Sequence, residues 1–451
     1  MAQFKQEAKL VGTDAIGGSS QGVSAALSRN GHTALVGGPG DASGMLNSRG
    51  AAWVFERLRG KWTQQTKLVA TDAIGNADQG FSVSLSNSGN TAIVGGPFDN
   101  HNAGAAWIFQ RSFNRQWKQQ AKLAPAGTPF GIGFGYSASI SGDGKTAVIG
   151  APFANGEIGS GFVFVRRHGM WNQQAELVGT DVVGPFSSQG TSVALSGDGN
   201  TAVVGGFNDN NEANGGNGAG AAWVFTRSER VWRQQAKLVG TETVGTAMQG
   251  YSVSISDDGN TVIVGGPLDN FDAGAAWVFT RSYGMWSQQG PKLVGNDVIG
   301  PFQLQGISVS LSGDGNTAII GGFADDNNTG AAWVFARSDG VWTQKTKLVG
   351  TGAALTPDST IGGAEQGTSV AISGDGKTVL SGGPIDNGGV GAAWIFGDQP
   401  IFAGTPGNAN CYGQSVSALA KKYEGLSAAA AAFQFSSVDT LQEAIAGFCE
   451  G

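Results

Sequence analysis

The side chains with the clearest chemical potential in this 451-residue chain are acids, often set beside amides, at recurring intervals: Asp41, Asp99-Asn100, Asp209-Asn210, Asp269-Asn270, Asp325-Asp326 and Asp386-Asn387. A carboxylate next to an amide offers several oxygen acceptors and a donor within one dipeptide. That set suits the hydroxyls of a sugar, or part of the oxygen shell of a divalent cation. The same residues also stabilise turns by bonding to their own backbone, so a conformational reading stands beside the binding one. Catalysis has thinner support. His32, His101 and His168 fall in three different kinds of loop, and neither Cys411 nor Cys449 has a metal-ligand partner at a recognisable spacing. No His-Glu-x-x-His and no Gly-rich loop opening a helix is present. The chain reads as a binding protein and not an enzyme; an acid pair for glycoside hydrolysis is the one catalytic arrangement its composition leaves open.

The elements that position these acids follow from a repeat. Gly50-Ala51-Ala52-Trp53-Val54-Phe55 returns near residues 107, 162, 223, 277, 333 and 394, so one unit of about 54 to 61 residues is written seven times. Each unit holds four short runs rich in β-branched and aromatic residues, separated by Gly, Asn, Asp and Ser. The connections are too short for crossover helices, so neighbouring runs pair antiparallel as a four-stranded meander, strands A to D. In the second copy Phe81, Val83 and Leu85 alternate with Ser82, Ser84 and Ser86, giving a bulky and a flat face. Such sheets stack radially, which predicts an all-β, seven-bladed β-propeller.

The termini predict how the ring closes. Six copies end in a D strand that opens at Trp62, Trp117, Trp171, Trp232, Trp286 or Trp342, the fifth running on to Leu293, but the seventh stops at Phe396. The missing strand matches Phe4 to Leu10 at the other end of the chain. An N-terminal strand completes the last blade only if blades seven and one are neighbours, and closure removes exposed edges. Residues 1–396 are therefore expected to form the propeller, 397–410 a linker and 411–451 a small α-helical appendage. In the appendage, a helix is expected over Val416 to Tyr423, an Ala-rich segment continues across Ala428 to Ala432, and a last helix is expected from Ser436 through Phe448. Cys411 and Cys449 bracket it, and a disulfide between them would staple a module too small for a good core; two free thiols are the alternative.

The third copy, with Phe134-Gly135-Tyr136-Ser137, Gly142-Asp143-Gly144-Lys145 and Gly150-Ala151-Pro152, resembles the FG-GAP repeat of integrin α-like propellers, and more closely its bacterial branch. The resemblance implies a recognition or adhesion platform, often extracellular. Most copies depart from it, with Gln-Gly for Phe-Gly at Gln21, Gln79, Gln189, Gln249, Gln305 and Gln366. Calcium-binding members use several carboxylates in the A-to-B loop. Here that loop is Ser141-Gly142-Asp143-Gly144 or a relative with a single acid, so Ca2+ is not supported there and the loop reads as a tight turn.

In a meander blade the D-to-A and B-to-C connections share one rim, which gathers Asp14, Asp72, Asp181, Glu242 and Asp297 with the Asp-Asn pairs; the opposite rim collects the arginines of the C-to-D turns. The disk is expected to be acidic on one face and basic on the other, each Arg pairing with the acid of its own A-to-B turn. The six Gln side chains either ring the channel mouth or satisfy backbone groups, and the tryptophans read as packing between sheets. With charged residues at 14%, net charge −7 and no basic run, a nucleic-acid partner is disfavoured. No run is long and apolar enough to cross a bilayer and no signal peptide is read; the suggested disulfide and the family resemblance make the chain expected to be secreted or envelope-associated, with the cytoplasm as alternative. The expected ligand is a glycan or a protein surface bound through the acidic rim. The rivals are a lectin with repeated sites between blades and a scaffold without small ligand. Blade three departs most, since Phe162 replaces the Trp and acids are missing at the positions of Asp72 and Asp99; a distinct or vacant site is expected there.

Overall fold

The structure is a computed structural model, and it describes residues 3–41, 48–127, 130–210, 218–354, 363–399, 403–405, 407–433, 435 and 437–450. It contains seven four-stranded antiparallel sheets. Blade one, for example, runs Ser24–Leu27, Thr33–Gly38, Ala51–Leu58 and Lys61–Leu68. Blade three runs Ser137–Ile140, Thr146–Ala151, Ser160–Arg167 and Met170–Leu177. Blade seven is built from Ser369–Ile372, Thr378–Gly383 and Ala392–Gln399 and is completed by the N-terminal strand Gln3–Leu10, with Phe4 opposite Asp398 and Leu10 opposite Ala393. The seventh C strand thus continues three residues beyond Phe396, because the N-terminal strand is long enough to pair with it there.

The flat face of strand A does the work of closure. Ser24 donates its hydroxyl to the carbonyl of Gly80 in the next blade at 2.8 Å. The same bond recurs from Ser82, Ser137, Ser192, Ser252 and Ser308, and from Ser369 to Gly22 at 2.7 Å, where blade seven meets blade one. Close approach is possible because strand B carries glycine: a Cβ on Gly37 would sit 2.1 Å from the Gly80 oxygen. The core lies between blades, where side chains of one sheet fill against the next; Leu35 and Val54 of blade one meet Val83, Val94 and Trp107 of blade two. The strand-C tryptophans Trp53, Trp107, Trp223, Trp277, Trp333 and Trp394 are fully buried, as packing residues should be.

Two local expectations differ. Blade five's D strand ends at Gln288, since Gly290-Pro291 interrupts the ladder and Pro291 has no N–H to donate; Leu293 rejoins through a single bridge to Ala276. The first helix of the tail begins earlier than Val416, where its hydrophobic pattern starts, and the tail's helices Cys411–Lys422, Leu426–Ala432 and Val438–Glu450 pack around Leu419, Ala429, Leu441 and Ile445. Ser436, the expected start of the last helix, and Pro400 and Pro406 of the expected linker lie outside the described residues. Cys411 and Cys449 are joined by a disulfide with a Cα–Cα distance of 5.7 Å.

Candidate functional site

The acids expected to face a ligand lie inside the loops. Asp41, Asp99, Asp209, Asp269, Asp325 and Asp386 are at most 1% exposed. Each directs one oxygen to a strand-D lysine of its own blade, at 2.5 to 2.7 Å: Lys67, Lys122, Lys237, Lys292, Lys347 and Lys9 in turn. The other oxygen accepts the backbone N–H of Ile16, Ile74, Val183, Val244, Ile299 or Ala354 in the D-to-A loop. A buried carboxylate is tolerated only when paired and hydrogen-bonded, and here both conditions are met. None can serve a ligand without opening this clamp.

The neighbouring residues lock the same two loops from the other side. Asn100, Asn210, Asn270, Asp326 and Asn387 adopt φ between 50 and 55°, the left-handed region that Asn and Asp tolerate best. Their N–H groups donate to the carbonyls of Ile74, Val183, Val244, Ile299 and Ala354, so each D-to-A loop residue both gives and receives a bond. Left-handed geometry continues over the following residues in five blades, as in Asn100-His101-Asn102 and Asn387-Gly388-Gly389. The indole N–H of Trp53 donates to Asp14 at 2.8 Å, and the Gln64 amide donates to the same oxygen at 2.7 Å. Burial alone would raise the Asp14 carboxyl, but these two bonds and the Lys67 charge hold it below the usual range. Asp72 with Trp107, Asp181 with Trp223, and Asp297 with Trp333 repeat the contact. A signal for the clamp was present in the sequence: a strand-D Lys stands in every copy that has the loop Asp, and blade three replaces both, with Glu176 and Ala154.

The Gln ring also turns inward to the backbone. Gln21, Gln79, Gln189, Gln249, Gln305 and Gln366 are fully buried, and each accepts an N–H, from Gly12, Ala70, Gly179, Gly240, Gly295 and Gly350 in turn. In the A-to-B turns Ser141 donates to Asp143 at 2.7 Å, and the Lys145 N–H donates to the same oxygen, an Asx-type turn closed by Gly144 with φ +68°. Among the described residues no three His, Cys, Asp or Glu side chains converge as a metal site would need.

The opposite rim is where free chemistry collects. Arg227, Arg281 and Arg337 donate Nε to Asn200, Asn260 and Asn316 of their own A-to-B turns at 2.9 to 3.0 Å. They also reach back to Gln174, Gln235 and Gln289 of the preceding blade. Their direct partners are therefore amides and a threonine hydroxyl of the preceding blade, Thr146, Thr201 or Thr261, and not the turn acids, which act through space. Burial alone would raise Asp198, Asp258 and Asp314, but the serine hydroxyl, the Asn backbone and side chain, and the arginine charge together hold them below the usual carboxylate range.

Blade three breaks this chain of arginines. Lys145 occupies the place of Asn200, and a lysine cannot accept an arginine N–H. The Arg166 side chain makes none of these bonds, and its buried Nε has no partner. Between blades two and three a cleft of about 830 Å3 is open, lined by Arg111, Arg115 and Lys118, with Asp143 as its single acid and Thr91, Gln110 and Gln120 along its wall. Phe113, fully exposed on a C-to-D turn longer than the others, stands at its edge. Glu56 engages Arg111 at 2.5 Å, whereas Arg115 and Lys118 form none of the ion pairs found among the described residues. A second cleft of about 330 Å3, between blades three and four, holds Lys145, Arg166, Arg167, Arg227 and Arg230 against Glu229 alone. The sequence places the arginines on this rim but does not show the clefts; Lys145, in the place of Asn200, lines the second of them.

At blade seven the same rim carries the tail, where Lys377 donates to the carbonyl of Ala432 and Phe433 lies beside Asp398. The sequence model of a family described as FG-GAP repeat matches residues 62–109, 117–165 and 232–279. The chain carries FG-GAP repeats. Each matched segment runs from the D strand of one blade to the C strand of the next, so the FG-GAP sequence unit is offset by one strand from the blade it helps to build. No curated protein matches the chain. Among solved structures, a chain of Kuenenia stuttgartiensis Hydrazine Synthase is similar over 86% of this chain and 98% of that one, at 13% identity and a TM-score of 0.52, a likeness of fold alone. No helix among the described residues is long and apolar enough to cross a membrane.

Proposed function

We propose that this FG-GAP propeller is a non-enzymatic recognition module that holds an acidic saccharide chain along its C-to-D rim at blades two to four. The observation that carries this reading is the cleft of about 830 Å3, in which Arg115 and Lys118, outside the ion pairs of the described residues, stand with the Glu56-paired Arg111 opposite Asp143 and beside a solvent-exposed aromatic ring. A sugar ring lies on the face of Phe113 while its carboxylate or sulfate takes charge-assisted bonds from Arg115 and Lys118. The second basic cleft extends the track, so a ligand of several residues gains from both. Repeated sugar sites on the opposite rim would require opening six buried ion pairs, which disfavours the lectin arrangement there. The disulfide and the repeat family support an oxidising, extracytoplasmic setting. The test is a binding titration with oligogalacturonate and with a neutral glucan of equal length. Oligogalacturonate should bind, weakening several-fold between about 50 and 300 mM salt as screening grows; equal binding of the neutral glucan, or none of either, refutes the proposal.

A further inference from the structure

In six blades the loop clamp encloses its own ammonium ion. That ion, the Nζ of a strand-D lysine, meets the Asp carboxylate and also donates to a D-to-A loop carbonyl at 2.7 to 3.1 Å. In five of these cells it lies 5.2 to 5.4 Å from the centroid of the strand-C indole. Each cell is thus a built receptor for an alkylammonium group, filled by the chain itself.

Blade three has the cell without the occupant. Glu176 stands where the lysine belongs, Ala154 where the Asp belongs, and Phe162 where the Trp belongs. Gln173, whose counterparts Gln64, Gln119, Gln234 and Gln344 each donate to a loop Asp, has no such acid to meet. In the vacated volume lies a cavity of about 190 Å3 whose walls include Ile132, Ala154, Phe162 and Pro125, with Glu176 and Asn155 at the mouth. The Glu176 carboxylate accepts the Asn155 amide at 2.9 Å. That neutral contact leaves its charge without a cation among the described residues, whereas each of the other six cells holds a lysine ammonium paired with its buried Asp. We propose that blade three binds an aliphatic primary ammonium ion from outside the chain. The alkyl stem lies against Phe162, Ile132 and Ala154, and the ammonium meets Glu176 and the aromatic face, reproducing with a ligand what six blades achieve with lysine.

The probe is n-butylammonium, with n-butanol as its neutral isostere, followed by NMR of methyl-labelled alanine and isoleucine, since Ala154 and Ile132 report on the walls. Saturable shifts at both residues are expected with butylammonium, and binding of n-butanol at least tenfold weaker. Glu176→Gln should weaken butylammonium tenfold or more without a change in melting temperature, because this side chain is exposed. The triple change Ala154→Asp, Phe162→Trp and Glu176→Lys should rebuild the filled cell, abolish binding and preserve the fold. Equal binding of n-butanol, or an unchanged affinity in Glu176→Gln, would make the cavity an apolar gap and overturn the proposal.

Discussion

Asp269→Ala separates a structural rim from a ligand-binding one. The change removes the acceptor of the Val244 N–H, 2.8 Å away, and the partner of Lys292 at 2.5 Å. Orphaning a buried N–H costs about 1–3 kcal/mol, and one-sided loss of a buried ion pair about 3–5 kcal/mol. Lys292 keeps the Glu242 carbonyl at 2.8 Å, and its side chain is 18% exposed, so its ammonium can recruit water. The lower ends apply, about 1 and about 3 kcal/mol, or about 4 kcal/mol in all. With an unfolding entropy of about 2.1 cal/mol/K per residue over roughly 400 residues, the melting temperature should fall by about 5 °C. Asn270→Gly, one residue on, changes an exposed side chain at φ 52°, a conformation glycine adopts without strain, and should move stability by less than about 0.5 kcal/mol. Urea unfolding followed by tryptophan fluorescence measures both. If Asp269→Ala costs under about 1 kcal/mol, or no more than Asn270→Gly, the clamp does not hold the loops and the reasoning fails.

Three further outcomes follow from the same contacts. Lys145→Asn should give Arg166 the acceptor its counterparts have, raising stability by about 1 kcal/mol in urea, and should remove a cation from the second cleft, so that oligogalacturonate affinity falls. Reducing the Cys411–Cys449 bridge frees a loop with a sequence separation of 38, worth about 4 kcal/mol to the tail by the chain-entropy relation; helical circular dichroism should fall while the propeller's melting stays unchanged. Asp258 is held below the ordinary aspartate value of 3.8, so its stabilisation is complete above that pH and lost as pH falls below it toward the folded-state value. Asp258→Asn should therefore flatten the acid limb of the stability curve and leave the neutral plateau slope unchanged.

The ring was legible because it is written in periodicity. Phe4 to Leu10 repeats the pattern of Trp62 to Leu68, and once strand D is known to be supplied from the other terminus, the closure follows. What stayed hidden are interactions between positions that sequence reading treats separately. Asp41 lies in a loop and Lys67 on a strand, and only their shared rim makes them a pair. Burial reverses the meaning of the Asp-Asn dipeptides: the Asp is consumed by backbone and lysine, and the Asn is chosen for its left-handed backbone as much as for its amide. Ser24 and its equivalents were read as merely small, yet their hydroxyls join every blade to the next. Blade three is marked as the exception by its missing Trp and acids, but what Lys145 and Glu176 do, one lining the second basic cleft and the other the blade-three cavity, depends on neighbours far away in the chain.

The most direct test of the account is to compare oligogalacturonate binding by three proteins: the native chain, Arg115→Ala with Lys118→Ala, and Asn100→Ala with Asn270→Ala and Asn387→Ala. The cleft variant loses two charge-assisted contacts worth about 1.5 kcal/mol or more each, so its affinity should fall at least tenfold. The rim variant should bind as the native protein does. Loss of binding in the rim variant with the cleft variant unaffected would contradict the account and return recognition to the acidic face.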